Sequence, residues 1–375
     1  MAHNNTILRQ ITAFLPRHEF EALAKKHHFG QRFRSFNRWS QFMAMFIGQL
    51  SGRKSLRDLV MNVTAQSNKL YHLAIKPFSR ATLARVNEKQ PASLYEAVFY
   101  SLLGRCHMVA PGHRFKFKSN LYLLDTTTVD LCLSVFPWAK FRKTKGAIKL
   151  HVGLDADGYL PTFMSMTDGK VHESRWAKSL TLPRGSIAVF DRGFTDYGWY
   201  DSLTENGVYF VTRLKSNAVI QNGPRRSGRK ASGITEDREI HLKGIKSTLR
   251  QVSYFDTESG KVLHFLTNAD HLKAQTVAEL YKERWQIELF FKWIKQNLKV
   301  KTFLGTSRNA VLTQVWIALC VYLLLAFLKF KAKVGLSMQQ MIRLLQLNLF
   351  ERRDLIALLK PPPVQAIEIR QFSLI

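Results

Sequence analysis

Arg284, Glu288 and Lys295 follow Tyr281 by three, seven and fourteen residues in the run Y-K-E-R-W-Q-I-E-L-F-F-K-W-I-K. At 3.6 residues per turn these positions fall within roughly 60° of one helix face, along about 21 Å of axis. Lys292 and Lys299 extend the stripe, while Ile287, Phe290, Phe291, Ile294 and Leu298 face away from it. One carboxylate in a row of cations and a phenol suits an acid that binds a metal ion while its neighbours grip a polyanion. A solvated amphipathic face is the plainer reading. The chain upstream decides between the two.

Two aspartates lie upstream in suitable settings. Asp125 ends the apolar run Leu121-Tyr122-Leu123-Leu124, and Asp191 ends Ile187-Ala188-Val189-Phe190. Short apolar runs bounded by turn residues read as buried strands, so each is expected to deliver a carboxylate where it stops. Adjacent strands would set both acids at one sheet edge, with the Glu288 helix closing over them. Alone, an Asp after a strand is better read as a turn or cap residue; set beside the Glu288 helix, the two acids are candidates for a shared site. Asp155, Asp157 and Gly158 in D-A-D-G read as a hairpin turn, Asp168-Gly169 as another turn, and His172-Glu173 as the cap of a short helix. Asp130 is expected to fall outside the acidic cluster. The twelve His and three Cys show no zinc spacing,, and no G-x-S-x-G elbow supports a serine hydrolase.

Three carboxylates suffice to hold two divalent cations about 4 Å apart, an arrangement suited to phosphodiester chemistry. An all-oxygen site without His favours Mg²⁺, for which Mn²⁺ is a ready substitute. Asp125 is expected to bridge the two ions, Asp191 to hold one and Glu288 the other.

The elements that must position these acids follow from the periodicity. Residues 1 to about 112 read as helical: Phe20, Leu23 and Ala24 form one stripe, and Trp39, Met43, Phe46, Ile47 and Leu50 another. Ser55 is a plausible N-cap for the next helix, and a short basic helix carrying Arg80 and Arg85 begins at Ser79. Small helices with exposed arginines suit a helix-turn-helix-like DNA reader; a plain helical scaffold is the competing view. From Phe115 the period changes, with strands predicted over 116–124, 147–154 and 160–166 and a helix around 174–180. The strand before Asp191, a helix over 196–206 and a strand over 208–214 come next, then the Glu288 helix. Between Leu214 and Thr276 sits an insertion with a basic loop (N-G-P-R-R-S-G-R-K-A-S-G) and short strands over 249–255 and 262–266.

The pattern Tyr281, two residues, Arg284, three residues, Glu288, six residues, Lys295 resembles the signature of the insertion sequence 4 family of DNA transposases. The stretch F-L-P-R-H-E-F with R-W-S-Q-F and S-L-R-D-L also resembles the amino-terminal module of many such enzymes. The resemblance implies an α/β, ribonuclease-H-like catalytic domain carrying two Asp and one Glu, and the predicted order β-β-β-α-β-α-β-α is the order that fold requires. The implied organisation is an all-helical DNA-binding domain over 1–112, the catalytic domain over 113–214 and 269–375 with C-terminal helices, and a β-rich insertion over 215–268. It further implies cut-and-paste chemistry: cleavage at transposon ends, then attack of the freed 3′ hydroxyl on target DNA. Tyr281, Arg284 and Lys295 are implied to hold phosphates. The residues themselves suggest further DNA contacts: Lys292 on the same stripe, Arg80 and Arg85 on the basic helix, and Arg225, Arg226, Arg229 and Lys230 in the basic loop, for which a merely solvated loop is the alternative. In the family the insertion carries a tryptophan that supports a flipped base during hairpin formation. This chain has none between Trp199 and Trp285, leaving Tyr254, Phe255 and Phe265 as aromatic alternatives. The rival readings are another metal-dependent nuclease of the same fold and a non-catalytic DNA-binding derivative. The Glu288 signature argues against the first and the presence of all three acids against the second.

Composition agrees with a nucleic-acid partner. The net charge of +29 over 375 residues repels itself unless an anion compensates it,. The cations are spread along the chain rather than massed beside one apolar segment, which points to double-stranded DNA and away from a membrane. Cys106, Cys132 and Cys320 are widely separated, as suits a reducing cytoplasm, and the N-terminus shows no long apolar region. A DNA-associated bacterial protein of the cytoplasm is the expectation, acting as a homodimer when two ends pair. The apolar run Val311–Leu328 is long enough to span a bilayer but is predicted to be a core helix under the catalytic sheet.

Overall fold

The alternating and continuous apolar runs after Phe115 form one sheet in the computed structural model, which describes residues 5–30, 36–140, 146–226, 233–298 and 303–360. Its strands are β1 (Leu121–Leu131), β2 (Gly146–Asp155), β3 (Leu160–Asp168), β4 (Ile187–Phe190), β5 (Tyr209–Arg213), β6 (Ile220–Arg225), β7 (Ile234–Leu242), β8 (Leu249–Asp256) and β9 (Lys261–Thr267). They lie in the order β3-β2-β1-β4-β5-β9-β8-β7-β6. β1, β4 and β5 are parallel, and the other neighbours are antiparallel. Parallel strands are covered on both faces, and every residue of β4 is buried. The β2–β3 turn is the D-A-D-G hairpin, where Gly158 and Tyr159 both adopt positive φ.

Two predicted boundaries shift. The first strand begins at Leu121 rather than Lys116 and runs on to Leu131, well past Asp125. Thr126-Thr127-Thr128-Val129 is β-branched, which suits a pleated surface, and it pairs with β2 throughout. In the insertion, Asn222-Gly223-Pro224-Arg225 belongs to strand β6 instead of a loop. Pro224 is tolerated because β6 is the edge of the sheet,. Arg229 and Lys230 lie outside the described residues, as does Lys299.

The helices preceding the sheet are α1 (Ile7–Thr12), α2 (Arg17–Lys26), α3 (Arg38–Leu50), α4 (Leu56–Ala65), α5 (Ser67–Leu70), α6 (Arg80–Lys89) and α7 (Ser93–His107). Ser55 and Ser79 cap α4 and α6 by accepting the backbone N–H groups of Asp58 and Thr82. All of α3 is buried, so it forms the axis about which its neighbours pack. Within and after the sheet come α8 (Glu173–Ala177), α9 (Tyr197–Glu205), α10 (Ala274–Glu283), α11 (Trp285–Asn297), α12 (Arg308–Lys331), α13 (Met338–Asn348) and α14 (Leu355–Leu359).

Helix α12 is the apolar run that could have been mistaken for a membrane span, and 89% of its most apolar window is buried. It packs chiefly against α7, α3 and α6 rather than under the sheet. An all-round apolar helix must be enclosed, but its composition cannot name the enclosing partner. Tyr322 links α12 to the site-bearing helix through ring contacts with Phe290 and Trp293 of α11, at 5.0 and 5.3 Å.

Candidate active site

The parallel register of β1 and β4 sets two acids side by side. Their last pair is Leu124 with Phe190, and the next residue on each strand is Asp125 and Asp191. The reason each acid stands there differs. β4 stops because the Asp191 carboxylate turns back to accept the Gly193 N–H at 2.8 Å, capping a short 3₁₀ turn over Arg192–Phe194. A Cβ on Gly193 would come within 2.3 Å of the Glu173 carboxylate, which would have to shift to admit a larger residue. β1 does not stop, and the prediction of a strand ending at Asp125 is corrected. Asp125 reaches the edge because its neighbour β4 ends beside it.

On the opposite face of β1, the Thr126 hydroxyl meets His151 Nδ1 at 2.8 Å, and His151 Nε2 meets the Thr167 hydroxyl at 2.8 Å. The imidazole stacks on Trp176, with centroids 5.1 Å apart. Burial, with Lys149 nearby, pushes its pKa down to about 4. A neutral ring thus ties β1, β2 and β3 together directly behind Asp125.

Glu288 arrives from the other side on α11. The single helix expected here is two, meeting at Arg284. Around that residue the α pattern gives way to tighter bonds, Arg284 N–H to Tyr281 C=O at 3.2 Å and Ile287 N–H to Arg284 C=O at 3.1 Å,. The apolar face behaves as predicted, with Ile287, Phe290, Phe291, Ile294 and Leu298 buried. On the polar face, Arg284 Nη2 lies 2.6 Å from Glu288 Oε1 and Nη1 lies 3.6 Å from Asp125 Oδ2. The Tyr281 ring packs at a tilt against Phe265, with centroids 4.9 Å apart, and stands 5.5 Å from the guanidinium; burial pushes its phenol pKa up. Lys295 donates to the hydroxyl of Thr127, two residues beyond Asp125. Asp125, Thr127, Glu288, Lys292 and Lys295 line a cleft of about 400 Å³.

The acids sense one another. Burial pushes the Asp125 pKa up to about 7; the Thr126 N–H and Arg284 pull it down, and Asp191 and Glu288 push it up. A buried carboxylate with two like-charged neighbours favours any cation that can enter. The donor set is all oxygen, which fits a hard divalent ion. Among the described residues, however, no three His, Cys, Asp or Glu side chains are gathered closely enough to hold a metal ion, and the guanidinium of Arg284 supplies the positive charge between two of the acids.

Other predicted residues fall elsewhere. Arg80 and Arg85 are exposed on α6. Arg225 is exposed at the sheet edge, 3.8 Å from Glu236, and Arg226 donates to Asp270 at 2.7 Å. Phe265 is fully buried beneath Tyr281, Tyr254 carries Lys282 over its ring at 4.9 Å, and Phe255 is exposed. Asp130 is exposed, and the His172 side chain caps α8 as expected. Sequence reasoning missed His151, Thr127 and Lys149, the last 3.5 Å from Glu173. It also missed Glu283, a buried carboxylate held by Arg114 at 2.6 Å and by the Tyr159 hydroxyl. A His within the apolar strand L-H-V-G-L was the one available signal.

Residues 116–324 match the model of the transposase DDE domain, and residues 3–76 match a domain of unknown function (DUF4372). A protein of Sinorhizobium fredii that carries the name of a transposase is 32% identical over 291 residues, 75% of this chain and 80% of that one. A Geobacillus stearothermophilus protein named for the transposase of insertion sequence element IS5377 is 29% identical over 71% of this chain and 72% of its own. Among solved structures, the piggyBac transposase synaptic complex with hairpin DNA is similar at a TM-score of 0.49 and 12% identity, over 96% of this chain and 83% of that one. That likeness is too distant to locate any residue.

Proposed function

The chain belongs to the DDE transposases, and from that premise we propose that Asp125, Asp191 and Glu288 are its catalytic acids. As a DNA transposase it is an enzyme that cuts and joins DNA strands, and its family is generally dependent on a divalent metal. The finer reading is cut-and-paste transposition by a ribonuclease-H-like core. The ends of the element are nicked, and each freed 3′ hydroxyl attacks a target phosphodiester, joining the element's strand to the target 5′ phosphate and releasing a target 3′ hydroxyl. The observation that carries the site assignment is the register of β1 and β4, which makes Asp125 and Asp191 neighbours, with Arg284 linking Asp125 to Glu288.

Two Mg²⁺ ions, replaceable by Mn²⁺, are the proposed cofactors, which the carboxylates of Asp125, Asp191 and Glu288 would hold. When bound, such a pair supplies an activated water, a stabilised leaving oxygen and relief of charge at phosphorus. The remaining work falls to the chain itself. Lys295, tied to Thr127, holds a point charge beside Asp125, and exposed Lys292 adds another at the cleft mouth. Arg284 offers a planar fork that matches phosphate oxygens, and Tyr281 braces it. The helices within 1–112, with Arg80 and Arg85 on α6, are proposed to read the terminal repeats, and Arg225 and Arg226 to touch backbone. Pairing two ends calls for a homodimer. The proposed place of action is bacterial DNA in the cytoplasm.

Substitution tests the assignment. Asp125→Asn, Asp191→Asn and Glu288→Gln should each retain binding to the element's ends in a gel-shift assay. Each should lose Mg²⁺-dependent nicking by about a hundredfold or more, since a metal's charge stabilisation is worth several kcal/mol. Near-normal nicking by any one variant removes that residue from the site.

A further inference from the structure

Arg284 is an unusual member of a phosphate-binding row, because its guanidinium is spent on carboxylates. It ion-pairs two of the three acids, at 2.6 Å to Glu288 and 3.6 Å to Asp125. The fit is incomplete. The contact to Asp125 is too long for a good hydrogen bond, and Nε is buried without a partner. The residue also sits at the joint of α10 and α11, where the regular helical bonding is interrupted. One guanidinium cannot serve a DNA phosphate and both carboxylates at once.

Resting on the acid assignment above, we propose that Arg284 is an internal counter-ion that closes the metal site until a DNA phosphate draws it away. While it lies across Asp125 and Glu288, an entering cation must compete with a tethered positive charge present at high effective concentration. A phosphate presents the oxygen geometry that the arginine fork prefers. Once Arg284 has turned to it, two partly buried carboxylates are left uncompensated and attract a divalent ion. Metal binding therefore follows DNA binding, and by linkage each ligand raises the affinity for the other by the same factor. The gate keeps the hydrolytic site unloaded when no strand is present.

The test measures Mn²⁺ binding to the full chain by electron paramagnetic resonance, with and without a duplex carrying the element's end. Wild type should bind Mn²⁺ at least tenfold more tightly with the duplex. Arg284→Gln should bind it at least tenfold more tightly than wild type without the duplex and lose most of the duplex dependence. Arg284→Lys keeps the charge but lacks the fork, so it should fall between them; it carries the test if the glutamine variant does not fold. Equal Mn²⁺ affinity with and without duplex, lost in Asp125→Asn, overturns the gate and leaves the acids in place. Mn²⁺ binding in the wild-type complex that survives both Asp125→Asn and Glu288→Gln overturns the acid assignment and the gate together.

Discussion

Arg250 and Arg284 are both largely buried guanidiniums against one sheet, and they are held in opposite ways. Arg250, 4% exposed on β8, grips both carboxylate oxygens of Asp237 at 2.8 and 2.7 Å and gives its third arm to the carbonyls of Ala269 and Leu272. Arg284, 16% exposed, makes one short contact and one long one and leaves a buried N–H unanswered. The first arrangement uses its donors fully and ties the insertion to the segment that leads into α10. The second leaves donors and acceptors unmatched. A saturated buried pair locks a structure, whereas an unsaturated one leaves a group ready to change partners.

The contrast can be broken first at Arg250. Replacing it with Ala strands Asp237 and two carbonyls, so chemical denaturation should show a loss of about 3–5 kcal/mol. A loss below about 1 kcal/mol would mean that the bidentate pair does not lock the insertion. The next effect concerns the floor of the site. Burial and Lys149 hold the His151 pKa at about 4, against 6.5 for an imidazole free in water. Between those values the unfolded chain binds more protons than the native one, so stability rises with pH through that window. The contribution is complete above about pH 6.5 and lost as pH falls towards 4, amounting to as much as about 3 kcal/mol. His151→Gln should flatten this acid limb in urea titrations; an unchanged slope would show that the ring is not held neutral. The smallest effect belongs to Arg225, whose side chain is 77% exposed. Arg225→Ala should leave stability within about 0.5 kcal/mol and reduce the salt slope of DNA binding by about 1. An unchanged slope would separate the sheet edge from the DNA.

What could be read from the residues was the set of elements and their order; what could not was their partnership. The apolar runs before Asp125 and Asp191 announced strands, and the i, i+4 spacing of Arg284 and Glu288 allowed an ion pair. The reach of Arg284 to Asp125, far away in the chain, depends on which strands become neighbours, and no local pattern encodes that. Asp125 looked like a strand end because hydrophobicity stops there, although Thr126-Thr127-Thr128 continues the pleat by β-branching instead. The break at Arg284 was invisible for the opposite reason: the apolar stripe keeps its period across the joint. Nor did the short strands of the insertion reveal that they would extend the same sheet, since β9 pairs with β5 only after the chain has travelled out and back.

That return has an architectural outcome. The outgoing strand stops at Arg213 and the incoming one reaches Phe265 directly opposite, as partners in a single ladder. The arm between them is fastened at further points, by Arg250 to the carbonyls of Ala269 and Leu272 and by the N–H groups of Lys246 and Ser247 to Asp201 on α9, so a change in its strands also reaches the approach to Glu288.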